Sequence, residues 1–545
     1  MPPRNLAATL VVIGGGLGGV AAALTAARLG HSVVLCERGD WLGGQLTTQG
    51  VPPDEHEWIE THQISPSYTE LRNRIREHYR KNYPLSDVTR NTVNLNPGAG
   101  FVSRLCHEPR VGALVIEEML SPLIASGLLT VLTHQELVAV ERDGSRVTSV
   151  LLRDPRDGTE TLVDGSYVAD ATELGDLLPL ADVAHVVGAE SAAETGELHA
   201  PVIADQLDQQ AVTWCAALEY RAGEDHTIDR PVGFDHWKTA VAPFWPGPQL
   251  SWDDVEPISL ERRTRPMFAG SPHDAETSHD KDLWHYRRIL ARAGMQPQWP
   301  SGDITLMNWP QADYWERPLL GVGDAARQLA LDGARDLTLS FIHWMQTEAP
   351  RSDGGTGYPE LRLRGDVMVT QDGLAKEVYI RESRRMRAMF TITEGHIGRQ
   401  MRGAGAGSAL FSDTVGVGHY RIDLHPSTSG RTYVDIDCYP FQIPLGALLP
   451  QGVDNLLAAS KNIGTTHITN GAYRLHPVEW SVGEAVGALA AFCAEEHVTP
   501  EQVYRTERVL RDFQALLSGR LGIMLTWPNE IRTHGTPVEA FPVAQ

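Results

Sequence analysis

Cysteine is scarce and scattered in this chain. Its five copies among 545 residues (Cys36, Cys106, Cys215, Cys438, Cys493) never fall at CxxC or CxxxxC spacing. A disulfide framework, a zinc site and a redox dithiol are therefore not expected, and a reducing cytoplasm is. Positive charge is short as well: 47 Lys and Arg stand against 69 Asp and Glu, a formal net charge of −22. Nucleic acid and anionic membrane surfaces need a basic footprint, so neither is an expected partner. The histidines never gather at ligand spacing, which leaves no expected metal site. Tandem repeats and low-complexity tracts are missing too. Residues 6–27 carry no charge, but their glycines, and His31, Glu37 and Arg38 just beyond, argue for a buried strand and helix over a membrane anchor. The n-region and cleavage site of a signal peptide are lacking.

What is there begins at Leu10. A β-branched run to Ile13 breaks into Gly14, Gly16 and Gly19 at GxGxxG spacing, an alanine-rich helix follows to Arg28, and a second apolar run ends on Glu37. In such a unit the first glycine makes the turn and the second lets the backbone approach a pyrophosphate on the helix N-terminus. The third lets helix and strand pack closely. Glu37 stands where a carboxylate accepts hydrogen bonds from ribose hydroxyls. Leu17 and Arg38 complete this first set of expected dinucleotide contacts.

Later segments choose between dinucleotides. Residues 41–47 supply a second glycine turn, with Gly43, Gly44, Gln45 and Thr47 placed to lie along a pyrophosphate and flavin. Residues 134–152 read as a hairpin turning at Asp143-Gly144, with Val138 as a contact. Residues 163–170 read as a strand opening into Ala171 and Thr172. Near the C-terminus, residues 455–460 form a short apolar strand followed by Lys461 and Asn462. Val482 then opens an alanine-rich helix whose N-terminus can face a flavin carbonyl.

These pieces resemble the FAD-dependent oxidoreductases of the glutathione-reductase-type (GR2) fold, in particular a bacterial family with a long insert. The resemblance extends to Asn308-Trp309-Pro310 with Asp313-Tyr314, to residues 379–385, to Asp413-Thr414-Val415-Gly416 with Asp423-Leu424-His425, and to Ile443-Pro444. It implies FAD as cofactor and an α/β fold: a discontinuous Rossmann-like domain, an inserted α+β substrate domain and a helical C-terminal tail. The FAD domain is expected at 1–60, 100–205 and 435–500. A helical excursion is expected at 61–99 with Glu/Arg pairs on a solvated face, the substrate domain at 206–434, and the cap at 501–545. Helices are expected at 281–293, 325–348 and 501–517. Most of the thirteen tryptophans lie between residues 214 and 344, which suggests an aromatic-lined substrate region.

Two departures from the family pattern stand out. Glu173 replaces the first glycine of an ATGxGD turn, and Ser460-Lys461 replaces Gly-Arg or Gly-Asp. No cysteine follows the second glycine turn, which excludes thiol–disulfide chemistry. No second complete GxGxxG unit follows a strand, and the glycine run 403–407 reads as a loop over the active site. A flavin here is therefore expected to be reduced by a small-molecule substrate and reoxidised by oxygen or a separate acceptor. Oligomeric state stays open.

Residues 466–480 sit between the last cofactor strand and the final helix. Their His467 and His476 are the first candidates for general base, and Arg474 for clamping an anionic group or pairing with Glu479. His425 ranks third. Arg381, Arg384 and Arg385, on what reads as a strand, are expected mainly in ion pairs with Glu382 or Glu394. His343 reads as core. The leading function is a dehydrogenase or oxidase, with a place in biosynthesis. The alternatives are a flavin monooxygenase using external NAD(P)H and a non-catalytic FAD-binding relative.

Overall fold

The computed structural model describes residues 3–269 and 282–534. Its largest sheet has seven strands. Six of them, β1 (Arg4–Ile13), β2 (Val33–Cys36), β3 (Leu129–Leu132), β4 (Glu136–Asp143), β5 (Arg146–Arg153) and β6 (Glu160–Asp170), lie in the order β3-β2-β1-β6-β5-β4. The β1–β2, β2–β3 and β1–β6 pairs are parallel, and β4, β5 and β6 form an antiparallel meander. The seventh strand, Leu456–Ala458, runs parallel to the last turn of β6. The β6 edge is thus forked, with Thr161 to Asp164 facing β5 and Val168 to Asp170 facing the C-terminal strand.

Helix α1 (Leu17–Arg28) carries the chain from β1 to β2. Its alanine-rich sequence has high helix propensity and too little side chain to hold neighbours away. Helix α2 (Pro66–Asn82) packs on α3 (Pro109–Ala125), the crossover to β3. That packing buries Arg72 and Arg76, which the sequence placed on a solvated face. Arg72 pairs with Glu55 at 2.8 Å and Glu60 at 2.6 Å, and Arg76 reaches Glu60 at 2.5 Å. The Arg74–Glu70 and Arg80–Glu77 pairs, each about one turn apart, stand at the surface as expected.

Between residues 212 and 380 a four-stranded antiparallel sheet orders Arg288–Leu290, Ile304–Met307, Ala216–Tyr220 and Leu361–Leu363. Helix α4 (Asp324–Thr347) packs beside it, against the short Val212–Thr213 and Asp313–Tyr314 strands. The expected helix at 281–293 reduces to one turn, Leu283–Tyr286, followed by a strand. Lys281 itself lies outside the described residues. Tertiary pairing wins there, because Arg288 is held by Asp303 at 2.8 Å and by the Gly98 carbonyl. The tryptophans form a second hydrophobic core with Phe341 rather than an aromatic pocket: Trp252, Trp284, Trp309 and Trp344 are all buried in it.

Helix α5 (His467–Tyr473) is capped by the Thr466 hydroxyl, and α6 (His476–Glu496) follows at once. The final helix therefore opens at His476, with Pro477 at its first turn, and not at Val482, which is buried mid-helix. Its glycines serve packing. A Cβ at Gly483 would overlap the Gly18 carbonyl, and one at Gly487 the Ala22 carbonyl, so α6 lies directly on the α1 backbone. The expected tail helix at 501–517 breaks at Thr506 into Pro500–Arg505 and Glu507–Ala515, and residues 535–545 lie outside the described residues. No helix among the described residues is long and apolar enough to cross a membrane.

Gly483→Val is expected to force α1 and α6 apart and destabilise by the ~1–3 kcal/mol typical of overpacking. Differential scanning calorimetry checks this, and an unchanged midpoint would mean that α6 does not rest on Gly18.

Candidate active site

The end of β1 is built from backbone approaching backbone. Gly14 has φ +97 and donates its N–H to Cys36 O at 2.8 Å, while its Cα faces the Ala171 carbonyl too closely for any side chain. The second glycine turn docks on the first: Gly43 (φ +110) donates to Gly15 O at 2.7 Å. At the tip of β6, Asp170 accepts from the N–H and hydroxyl of Thr172 and so fixes the third turn. These turns enclose a cavity of about 650 Å³. Of the residues expected to contact a dinucleotide, Gly14, Gly16, Glu37, Arg38, Gly44, Ala171 and Thr172 line it.

The remaining expected contacts stand behind that surface. Leu17 and Gly19 are buried in the first turns of α1. Thr47 donates to Leu42 O, and Asn462 donates to Asp170 O, so both hold turns in shape. Val138 sits where the β4–β5 register shifts, and its neighbours Gln135, Glu136 and Leu137 form the wall instead. Val482 is displaced with the corrected start of α6.

Glu37 accepts the N–H groups of Gly15 at 2.7 Å and Gly39 at 2.8 Å. Burial, reinforced by Glu377 nearby, pushes its carboxyl up to about 7. Glu173 and Lys461, the two departures from the family pattern, form an ion pair with each other. The Glu173 carboxylate lies where the two glycine turns converge, 3.1 Å from where a Gly16 Cβ would stand. Burial works against the Lys461 charge, but Glu173 and Glu479 together hold its pKa above the ordinary lysine value. Glu479 accepts from Gly18 N–H at 3.2 Å, from the Ser460 hydroxyl at 3.2 Å and from Gln45. The expected Arg474–Glu479 pair is thereby pre-empted.

A second cavity, of about 160 Å³, adjoins these turns. Arg474 joins the two: its carbonyl accepts from Gln45 at 3.0 Å, and its guanidinium faces the cavity, bonded to Tyr379 Oη at 2.7 Å and Asp423 at 3.3 Å. His425 also faces this cavity. Its Nδ1 lies 2.6 Å from Asp313, which is further held by Arg381 at 3.0 Å and by the Thr213 hydroxyl at 2.5 Å. Burial opposes ionisation of Asp313, yet Arg381 and His425 keep it below the usual carboxylate range.

The two histidines ranked first are placed elsewhere. His476 Nδ1 accepts from Asp54 N–H at 3.1 Å and its Nε2 donates to Val51 O at 3.2 Å, so both nitrogens are spent on backbone. Burial lowers its pKa well below 6.5. His467 is buried between Glu382 at 2.9 Å and Arg431 at 2.6 Å and lines neither cavity. Both rings thus have their two nitrogens taken up by fixed partners. Residues 381–384 form no strand; Arg385 pairs with Glu382 and Glu190, Arg384 with Asp176, and Glu394 takes His199 instead. His343 bonds Ile228 O among core residues. The glycine run 403–407 packs on Arg532 and Tyr439, away from both cavities. Asp313, Arg287, Asn308 and Asp54 were missed; the first and third lie in segments that marked the resemblance without indicating a role.

Glycine turns around a cavity, an acid closing β2 and a parallel βαβ core define a dinucleotide-binding fold. The sequence pattern of the family described as "FAD dependent oxidoreductase" matches residues 9–517, and the chain belongs to that family. That family consists of oxidoreductases with FAD as cofactor, and the residues lining the larger cavity fit the adenosine and pyrophosphate of that group. Over 72 residues the chain is 38% identical to an NADH oxidase of Thermoanaerobacter brockii, spanning 12% of this chain and about a tenth (11%) of that protein's length. A geranylgeranyl bacteriochlorophyll reductase-like protein from Thermoplasma acidophilum aligns at 11% identity and TM-score 0.31, over 95% of this chain and 84% of that one. The glycerol-3-phosphate dehydrogenase from Bacillus halodurans complexed with FAD aligns at 15% identity and TM-score 0.22, over 39% of each chain.

Two outcomes test the cradle. Removing the Glu173 charge from the pyrophosphate position (Glu173→Gln) is expected to tighten FAD binding about tenfold, or ~1.4 kcal/mol, and Lys461→Met to weaken it similarly. Titration by flavin fluorescence quenching measures both, and unchanged affinity in Glu173→Gln would place that carboxylate clear of the cofactor. Glu37 binds its proton more tightly folded than unfolded. The stability it contributes is therefore present below about 4.5 and lost as pH rises through about 7. Urea midpoints of the FAD-free protein should fall with pH across that window in wild type but stay flatter in Glu37→Gln.

Proposed function

We propose that the chain is a dehydrogenase or oxidase that oxidises a small organic molecule held in the 160 Å³ cavity beside His425. Flavin, held by the glycine turns around the larger cavity, would supply the acceptor for a hydride from the substrate, with oxygen or a separate acceptor as final oxidant. The observation that carries the reading is the Asp313–His425 pair at that cavity. Ionised Asp313 accepts from His425 Nδ1–H and orients the ring, which leaves Nε2 as the basic atom on the substrate side. Nε2 lies 3.7 Å from Asp423, so a proton taken there meets a second carboxylate. Arg474, tied to Gln45 of the second glycine turn, would hold substrate against the cofactor end of the cavity.

We read the fold as GR2-type, with the FAD domain at 1–60, 100–205 and 435–500, an inserted substrate domain at 206–434, a helical excursion at 61–99 and a cap at 501–545. The separate aromatic core between residues 174 and 380 supports that division.

His425→Gln is expected to slow anaerobic bleaching of the flavin by substrate ~10²–10⁴-fold, the usual worth of a general base, with FAD content unchanged. Stopped-flow absorbance with a panel of small amines, alcohols and acids measures it. Bleaching as fast as wild type would remove His425 from the chemistry. NADPH oxidation stimulated by substrate would instead favour the monooxygenase.

A further inference from the structure

The smaller cavity contains polar atoms that its own walls do not satisfy. Arg287 Nε and Nη1, Asp54 Oδ1, and both Asn308 Nδ2 and Oδ1 are buried without a hydrogen-bond partner. An unmet buried donor or acceptor costs about 1–3 kcal/mol, more when charged, so nine such atoms on the walls of one cavity, counting Arg381 Nε, Arg421 Nη1, Arg474 Nε and Tyr433 Oη, need an explanation. Arg287 is unlike the other arginines of the wall. Arg263 and Arg265 are fixed on Asp254, Arg381 on Asp313, Arg421 on Asp435, and Arg474 on Asp423. The nearest carboxylate to Arg287 is Asp54 at 3.7 Å, beyond hydrogen-bonding distance. The side chains are 11% and 6% exposed respectively. Arg287 is steadied by the Tyr286 ring, 5.3 Å away, a contact that spends none of its N–H groups.

The charges around the cavity decide what fits. Six arginines and three aspartates line it, and Asp254 and Asp313 stand behind the arginines, so most of the positive groups are matched by negative ones. A simple anion on Arg287 would be repelled by Asp54, and a simple cation on Asp54 by Arg287. A molecule with both charges and none net satisfies each. At ~30 Å³ per water, the 160 Å³ cavity holds the equivalent of about five waters, which limits the ligand to a small one.

We propose that this cavity binds a small zwitterion of the amino-acid class, its carboxylate on Arg287 and its ammonium on Asp54, with the Asn308 amide bridging the two poles. The inference rests on reading the cavity as the substrate site. It adds the substrate class and names Arg287, Asp54 and Asn308 as its specificity determinants.

Anaerobic isothermal titration of the FAD-replete protein with L- and D-alanine, propionate and L- and D-alaninamide tests it. One alanine should bind at least ~10-fold tighter than propionate or either amide, the worth of one charge-assisted hydrogen bond. Arg287→Met should erase the advantage over alaninamide, and Asp54→Asn the advantage over propionate. Arg287→Lys and Asn308→Ala, milder changes, should each lose part of it; they decide the matter if the Met variant fails to fold. Propionate or an amide binding as well as alanine, no probe binding, or Arg287→Lys and Asn308→Ala both matching wild type would overturn the zwitterion site. A protein that takes up FAD and yet discriminates none of the probes loses this inference and keeps the oxidoreductase reading. A protein that takes up no FAD loses that reading, and the same titration on the FAD-free chain still decides the zwitterion site.

Discussion

Backbone must touch backbone where β1 turns into α1, and the rest of the molecule is arranged around that requirement. Ala171 O closes on Gly14, Ala459 O on Gly18, and the Gly18 carbonyl in turn on Gly483. Each contact leaves no room for a Cβ, so three distant segments are drawn to one point by residues that lack side chains. Glu479 completes the junction by accepting the Gly18 N–H from inside α6. The anion-binding end of α1 is therefore shaped from behind by the C-terminal helix.

Polar groups buried around this junction are arranged in pairs. Glu173 and Lys461 depart from the family pattern together and compensate each other, which turns two apparent defects into one ion pair. The same logic runs through the smaller cavity, where every guanidinium but that of Arg287 is held by a carboxylate, Arg263 and Arg265 sharing Asp254. Low dielectric makes such pairing obligatory, since a lone buried charge is far costlier than a matched one. Groups left unmatched in so closely matched a setting carry the most information about what the site receives.

The cofactor cradle was legible because glycine spacing, a strand-ending acid and alanine-rich helices are local signals. Gly14, Gly16 and Glu37 could be located without knowing anything distant. The catalytic assignment was not local. His467 and His476 lie close in sequence to the cofactor strands, but their ring nitrogens are consumed by Glu382, Arg431, Val51 and Asp54. The role proposed for His425 rests on Asp313, more than a hundred residues earlier. Partners that far apart leave no periodicity to read. The tryptophans misled for a related reason: composition reported their abundance, while only packing could show that they bury one another.

The forked edge of β6 bears on how the chain comes to be folded at all. Its first half is satisfied by the neighbouring meander as soon as β5 exists, but its second half waits for Leu456–Ala458. The glycine turn that β6 feeds gains its last partners, Leu456–Ala458 and Asn462, only once those late residues have left the ribosome. An emerging chain thus presents β1, α1 and Glu37 early but has no finished anion seat to offer. Flavin loading onto a complete seat is thereby a late step of biogenesis.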